Sequence, residues 1–115
     1  MADPAAQDGG IDLHVDLSGR RAVVTGAANG IGLAIASGLS RNGASVLLAD
    51  LDEAAGSAAV RDLDRAVFRR ADVSSLEECR ELVRYAEEAL RGVDILVNNA
   101  GIQHVSAIEE FPEER

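Results

Sequence analysis

The sequence predicts an α/β fold built on a doubly wound parallel sheet, and three observations lead to this expectation. Short unbroken apolar runs such as AVVT and ASVLLA recur along the chain. Longer segments with helical periodicity separate these runs, and a glycine-rich stretch joins the first run to the first helical segment. Parallel strands are buried on both faces and require crossover helices, so this alternation predicts a βαβαβαβ order.

The predicted elements follow one another with short connections. The predicted strands cover residues 22–25, 44–49, 66–70 and 94–98, and the predicted helices cover residues 30–42, 53–63 and 76–90. Gly43 follows Asn42 as a stop signal for the first helix. Ser75 and Glu78 form a capping box that predicts the start of the third helix at Leu76.

The composition excludes several classes of function. The chain has 115 residues and a net charge of -9, with 20 acidic residues against 11 basic ones that are all arginine. Such a chain repels polyanions, and aromatic residues are too scarce, at 3%, to form base-stacking surfaces, so nucleic acid is not expected as a partner. We expect no membrane span, no secretory signal and no metal site. The single cysteine, Cys79, excludes an internal disulfide and fits a cytoplasmic location.

The chain divides into two unequal parts. Residues 1–16 contain adjacent glycines, several acids and few apolar residues, so we expect a flexible leader. A chain of this length holds one domain at most, so residues 17–115 are expected to form a single unit.

The stretch TGAANGIG, residues 25–32, lies between the first strand and the first helix. At this place Gly26 can form the turn out of the strand, Gly30 can let the backbone approach a pyrophosphate, and Gly32 can let the helix pack against the sheet. The free amides of the helix start would then face the anion. Because the spacing differs from the standard Gly-x-Gly-x-x-Gly pattern, a purely structural loop is the alternative.

The second strand ends at Asp50. A carboxylate at this position would accept hydrogen bonds from the adenosine ribose and would repel a 2′-phosphate. Ala28 and Asn29, beside the glycines, provide no cation for such a phosphate. The pattern therefore predicts NAD rather than NADP, and the alternative is that Asp50 only begins a turn with Asp52.

Together with two further motifs, these features resemble the N-terminal half of the short-chain dehydrogenase/reductase family. The glycine stretch matches that family's Thr-Gly-x-x-x-Gly-Ile-Gly loop, Asp72 and Val73 follow the third strand, and NNAG at residues 98–101 follows the fourth. The resemblance covers residues 17–115 and implies a Rossmann-like sheet that is truncated after its fourth strand. It implies a cofactor site formed by Gly26, Asn29, Gly30, Ile31, Gly32, Asp50, Leu51, Asp72, Val73, Asn99, Ala100 and Gly101.

The resemblance also implies roles for the two later motifs. Asp72 would accept a hydrogen bond from the adenine amino group, and Val73 would pack on the adenine ring. The NNAG segment would support the sheet and lie along the nicotinamide ribose. The alternatives are that Asp72 caps the helix beginning near Leu76, and that Asn98 and Asn99 bond their own turn.

Residues 101–114, GIQHVSAIEEFPEE, resemble the corresponding segment of the 3-hydroxybutyrate dehydrogenases within that family. The resemblance implies that Gln103 helps to hold the carboxylate of a small hydroxy or keto acid, since an amide can donate a hydrogen bond to an anion. For His104 a surface or packing role is expected, because proton transfer in the family uses a tyrosine.

The catalytic groups implied by the resemblance are a serine, a Tyr-x-x-x-Lys pair and an asparagine, all beyond the NNAG strand. The sequence contains no lysine, and its one tyrosine, Tyr85, lies within the third predicted helix. No catalytic residue is therefore assigned, and this chain is expected to be inactive alone. A non-catalytic dinucleotide-binding module or a gene relic is the alternative.

The truncation implied by the resemblance also predicts an exposed apolar edge at residues 94–98, and with it marginal stability or association. The resemblance implies a homotetramer for a full-length parent, whereas this chain is not expected to form that assembly.

Overall fold

A computed structural model describes residues 15–102 of the chain. Its centre is a four-stranded parallel sheet with the strand order β3-β2-β1-β4. The strands are β1 (Arg21–Thr25), β2 (Ser45–Asp50), β3 (Ala66–Arg70) and β4 (Ile95–Asn98). The helices are α1 (Gly30–Arg41), α2 (Glu53–Val60), α3 (Leu76–Leu90) and the single turn α4 (Asn99–Ile102). The predicted βαβαβαβ order and parallel pairing are confirmed.

Both faces of the sheet are covered in its centre. On one face, Val24, Val46 and Leu48 are buried beneath α1 and α2. On the other face, the alternate residues Val23 and Leu47 pack with residues of α3. Burial on both faces explains why these strands appear in the sequence as unbroken apolar runs.

The predicted element boundaries are close to the observed ones, with one clear difference at the end of α2. The second predicted helix extends to residue 63, whereas α2 ends at Val60. The amides of Arg61, Asp62 and Leu63 each bond the carbonyl three residues earlier, so the chain tightens into a turn at this point. The first helix ends at Arg41, one residue before its predicted end, and Gly43 follows the cap residue Asn42 with a φ of 107°.

The capping box at the start of α3 is only half formed. The Ser75 Oγ accepts a hydrogen bond of 3.2 Å from the Glu78 amide, as predicted. The Ser75 amide already donates to the Asp72 carbonyl, at 3.0 Å. The Glu78 side chain therefore accepts from a different amide, that of Asp72, at 2.7 Å.

The strand β4 lies at an edge of the described sheet. It pairs with β1, and the side chain of Leu96 on this strand is 65% exposed. A paired hydrogen bond between Arg21 and Asp94 holds the start of β4 against β1, with nitrogen–oxygen distances of 2.9 and 3.1 Å. Arg21 Nη1 also donates to the Arg91 carbonyl, at 2.7 Å. Residues 1–14, which make up most of the predicted leader, lie outside the described part of the chain.

Candidate functional site

A cleft of about 510 Å³ lies at the carboxyl ends of the four strands. Each strand contributes residues at or just after its last position, which is where open α/β sheets bind ligands. The walls are formed by Thr25, Gly26, Asn29, Ala49, Asp50, Leu51, Ala71, Asp72, Val73, Ser74, Cys79, Leu82, Val83, Leu96, Asn98 and Ala100. No arginine is among these described residues, so the cleft lacks a cationic side chain in its walls.

The glycine loop after β1 requires its glycines for two different physical reasons. Gly26 and Gly30 have φ angles of 62° and 64°, a region that residues with a Cβ rarely adopt. A Cβ on Gly32 would instead collide with the Gly26 carbonyl oxygen, so α1 can approach this loop only with glycine there. A Cβ on Gly30 would meet no atom within 4 Å, so this part of the loop borders open space.

The start of α1 differs from the starts of the other two long helices. Asn29 precedes α1 but makes no capping hydrogen bond through its side chain, and the first turn contains no acidic residue. In contrast, Asp52 caps α2 and Ser75 caps α3, and both helices have acids in their first turns. The first amides of α1 are therefore available for an external anion, which the helix dipole also favours.

The carboxylate of Asp50 is held at the end of β2 by two backbone amides. Its Oδ2 accepts from Ala28 in the glycine loop at 3.0 Å, and its Oδ1 accepts from Asp52 at 2.9 Å. The turn that was considered as an alternative is therefore present. Each carboxylate oxygen retains acceptor capacity, so this turn is compatible with a ligand bond to Asp50.

The loop between β3 and α3 holds the Asp72 carboxylate through Ser74. The Asp72 Oδ1 accepts from the Ser74 amide at 3.0 Å and from the Ser74 hydroxyl at 2.6 Å. These hydrogen bonds lower the pKa of Asp72 below its usual range, and the bond from the Ser74 hydroxyl has the larger effect. Ser75, and not Asp72, occupies the cap position of α3.

The NNAG segment is bonded to the end of β1 rather than only to its own turn. Asn99 is buried, and its Nδ2 donates to the Gly26 carbonyl at 3.0 Å. The Thr25 hydroxyl donates to Asn98 Oδ1 at 3.1 Å and accepts from the Ala100 amide at 3.2 Å. Thr25 thus links the end of β1 to the NNAG segment, a role that the sequence analysis did not predict. The signal available in the sequence is a hydroxyl side chain at the end of a central strand.

Comparison with known proteins identifies the family. A family model described as short chain dehydrogenase matches residues 20–115. The chain belongs to this family. This short-chain dehydrogenase sequence is 44% identical over 103 residues to the D-beta-hydroxybutyrate dehydrogenase of Cupriavidus necator, covering 86% of this chain and 40% of that protein. The chain thus spans about two fifths of the length of this curated relative.

Two solved structures share the fold of this short-chain dehydrogenase chain. One is a hydroxysteroid dehydrogenase from Escherichia coli, with a TM-score of 0.69 and 37% identity over 71% of this chain and 36% of the other. The second is a 3-ketoacyl-(acyl-carrier-protein) reductase from Brucella melitensis complexed with NADH. Its TM-score is 0.67, at 32% identity over 70% of this chain and 33% of the other. The Rossmann-like fold class is confirmed.

The structure brings most of the predicted site residues of this member of the short-chain dehydrogenase family to one cleft. Those in its walls are Gly26, Asn29, Asp50, Leu51, Asp72, Val73 and Ala100. Gly30 and Gly32 lie at the start of α1, and Asn99 is buried behind Gly26. The side chain of Ile31 instead lines a separate apolar groove with Ile35 and Ile95.

Three further predictions concern residues at the margins of the site. The backbone of Gly101 belongs to α4, whereas Gln103 and His104 lie outside the described residues. Tyr85 lies on α3 with its ring 4.7 Å from the Arg69 guanidinium carbon, and it is not part of the cleft walls. Between residues 15 and 102, no helix combines the length and apolar character needed to cross a membrane.

Proposed function

We propose that this chain supplies the dinucleotide-binding part of an NAD-dependent short-chain dehydrogenase that interconverts 3-hydroxybutyrate and acetoacetate. The observation that carries the proposal is the cleft, where the helix start after β1 has no side-chain cap and the Asp50 carboxylate is fixed at the end of the adjoining strand β2. This combination fits a dinucleotide because its pyrophosphate needs amide donors and its ribose needs an acceptor.

The residues present would hold the cofactor along the strand ends. The amides of Gly30, Ile31 and Gly32 would bind the pyrophosphate, and the open space beside Gly30 supports its close approach. Asp50 would accept from the adenosine ribose, with Leu51 beside it. Asp72 and Val73 would hold the adenine. Asn29 would lie beside the pyrophosphate, while Ala100 and Gly101 would lie along the nicotinamide ribose.

The preference for NAD rests on charge. Asp50 would place a carboxylate beside the 2′-phosphate of NADP, and the described cleft walls contain no arginine to offset the repulsion. Arg70, which pairs with Asp50 in the sheet register, extends toward Glu78, with its Nη1 3.8 Å from the Glu78 Oε1. The NADH complex of the Brucella melitensis reductase supports this choice.

The substrate part of the proposal rests on similarity and on one side chain. The relative from Cupriavidus necator is named as a dehydrogenase of D-beta-hydroxybutyrate. In this chain, Gln103 would donate a hydrogen bond to the carboxylate of such a substrate. The bound nicotinamide would accept or return the hydride of the carbinol carbon. The supporting Ser and Tyr-x-x-x-Lys groups are not within these 115 residues, which contain no lysine, so we expect no turnover by this chain alone.

A non-catalytic dinucleotide-binding module is the second candidate. The predicted ligand residues would serve such a module equally well, because their role is to bind the cofactor and none of them is assigned a catalytic role. The two candidates differ in the reading frame beyond the Arg115 codon. A continuing frame with Ser and Tyr-x-x-x-Lys supports the dehydrogenase, and a stop codon supports the module. For the dehydrogenase we propose a cytoplasmic homotetramer.

Titration of the chain with NADH and NADPH, followed by nicotinamide fluorescence, tests the binding part. We expect NADH to bind more tightly than NADPH. Tighter binding of NADPH, or no binding of either, would contradict the proposal. The substrate part is tested by assaying the product of the full reading frame for NAD reduction with 3-hydroxybutyrate, and failure of that assay leaves the binding result intact.

A further inference from the structure

We propose that Glu78 is a positioning residue for the adenine end of the cleft, acting through its hydrogen bond to the Asp72 amide. The inference rests on the proposed function, because it assumes that a dinucleotide occupies the cleft. Glu78 is not among the residues of the cleft walls. It acts by holding the loop of residues 71–74, which does line the cleft.

The loop of residues 71–75 is fixed at both ends. The Ala71 amide donates to the Asp50 carbonyl at 3.1 Å, which joins the loop to the end of β2. Next to it, the Glu78 Oε1 accepts from the Asp72 amide at 2.7 Å, and at the other end of the loop the Glu78 amide donates to Ser75 Oγ. One residue of α3 therefore bonds both the helix cap and the loop.

This arrangement determines where the Asp72 carboxylate lies. The carboxylate is held by Ser74, but Ser74 belongs to the same short loop and moves with it. The bond from the Asp72 amide to Glu78 connects this unit to the rigid helix. Residues 71–74 all line the cleft. Loss of the bond would displace the part of the wall that Asp72 provides, whereas Val73 is also held by Cys79 of α3, whose Sγ donates to the Val73 carbonyl at 3.2 Å.

The hydrogen bond, and not the charge of Glu78, is the operative contact. The Arg70 Nη1 lies 3.8 Å from the same Oε1, and both side chains are well exposed, so this ion pair has little energetic weight. A carboxylate in the first turn of α3 also stabilises the helix, because its charge interacts favourably with the helix dipole. The experiment must separate these three contributions.

Two variants separate them. Glu78→Gln keeps a side-chain oxygen at the same reach but removes the charge. Glu78→Asp keeps the charge near the helix start, but its side chain is one methylene shorter and falls short of the Asp72 amide. Each variant of the 115-residue chain is titrated with NADH and with reduced nicotinamide hypoxanthine dinucleotide, in which an oxygen replaces the adenine amino group.

The expected readout is the ratio of the two dissociation constants. The wild type and Glu78→Gln should favour NADH by the same ratio, and Glu78→Asp should reduce that preference by about 3- to 10-fold, as expected for one hydrogen bond. Glu77→Asp is the matched control, because Glu77 is an exposed acid in the same first turn. It should leave the ratio unchanged and lower the thermal stability less than Glu78→Asp does, because only Glu78→Asp loses the bond to the Asp72 amide.

The outcomes are distinguishable. If Glu78→Asp lowers the melting temperature but leaves the ratio unchanged, Glu78 only stabilises α3 and the inference is wrong. Equal losses in Glu78→Gln and Glu78→Asp would assign the effect to charge and also overturn it. A wild type that binds both ligands equally would overturn the inference alone, whereas a wild type that binds neither would overturn the proposed function as well.

Discussion

Asn99 and Gly26, which are 73 residues apart, are joined by a hydrogen bond of 3.0 Å from the Asn99 Nδ2 to the Gly26 carbonyl oxygen. The same carbonyl oxygen is the atom that a Cβ on Gly32 would strike. The end of β1, the start of α1 and the NNAG segment therefore meet at one point behind the cleft. Changes at this point should affect folding and cofactor binding together.

Removing the Asn99 amide should destabilise the chain. Asn99 is 3% exposed, so Asn99→Ala leaves the Gly26 carbonyl without this donor in a buried place. We expect a loss of about 1–3 kcal/mol in the free energy of unfolding, measured by urea titration, together with weaker NADH binding. An unchanged urea midpoint would show that the bond carries no stability.

Two glycines of α1 should respond in opposite directions to the same substitution. Gly32→Ala forces a Cβ into the Gly26 carbonyl, and we expect a loss of about 1–3 kcal/mol or more. Gly38→Ala is the matched control in the same helix, because a Cβ there meets no atom within 4 Å. Because alanine has a higher helix propensity than glycine, Gly38→Ala should raise the free energy of unfolding by up to about 1 kcal/mol. Equal effects of the two changes in thermal unfolding would refute the packing argument.

Loss of the Asp50 charge should weaken the preference for NAD. Asp50→Asn keeps an acceptor oxygen for a neighbouring amide but removes the repulsion toward a 2′-phosphate. We expect the ratio of NADPH to NADH affinity to rise roughly tenfold in a fluorescence titration. Asp52→Asn serves as the control, because Asp52 lies outside the cleft walls and asparagine is also a good N-cap. A similar rise in that control would count against the role of Asp50.

The Arg21–Asp94 pair should make stability depend on pH in the acid range. Hydrogen bonds from Arg21 hold the pKa of Asp94 below its usual value, so the folded state binds this proton more weakly than the unfolded state. The contribution is present above about pH 4, the usual aspartate pKa, and is lost as the pH falls through the lowered pKa.

The variant Asp94→Asn should therefore show a shallower loss of stability with acid than the wild type, measured as urea midpoints at a series of pH values. Asp62→Asn, at an exposed position on the turn after α2, provides the comparison and should keep the wild-type slope. If the urea midpoints of both variants decrease with acid as steeply as those of the wild type, the Arg21–Asp94 pair does not contribute to acid sensitivity.

The exposed apolar residue of β4 should promote association. Leu96 presents an apolar side chain on an edge strand of the described sheet, and such edges favour pairing between chains. We expect Leu96→Lys to reduce the concentration-dependent increase in scattered light. Val83→Lys, at a half-exposed position on α3, tests whether the effect is specific to the strand edge.

Much of the fold could be predicted from the local pattern. Unbroken apolar runs predicted the strands, and the pair Ser75 and Glu78 predicted the start of α3 at Leu76, because these signals depend on neighbouring residues only. The end of α2 was placed three residues too late, since a final tightened turn has the same apolar spacing as a helix. The glycine stretch and Asp50 were predicted to follow the first two strands, and the structure brings Gly26 and Asp50 to one cleft.

The sequence by itself determined the alternation of elements, the parallel sheet and the positions in the loop after β1 where the backbone requires glycine. Only the tertiary structure decided which groups meet across the sheet. Asn99 bonds the Gly26 carbonyl, and Glu78 turns from its expected cap partner to the Asp72 amide. The physical reason is that backbone propensity acts over a few residues, whereas a polar side chain bonds whichever unsatisfied partner the packed strands bring within reach.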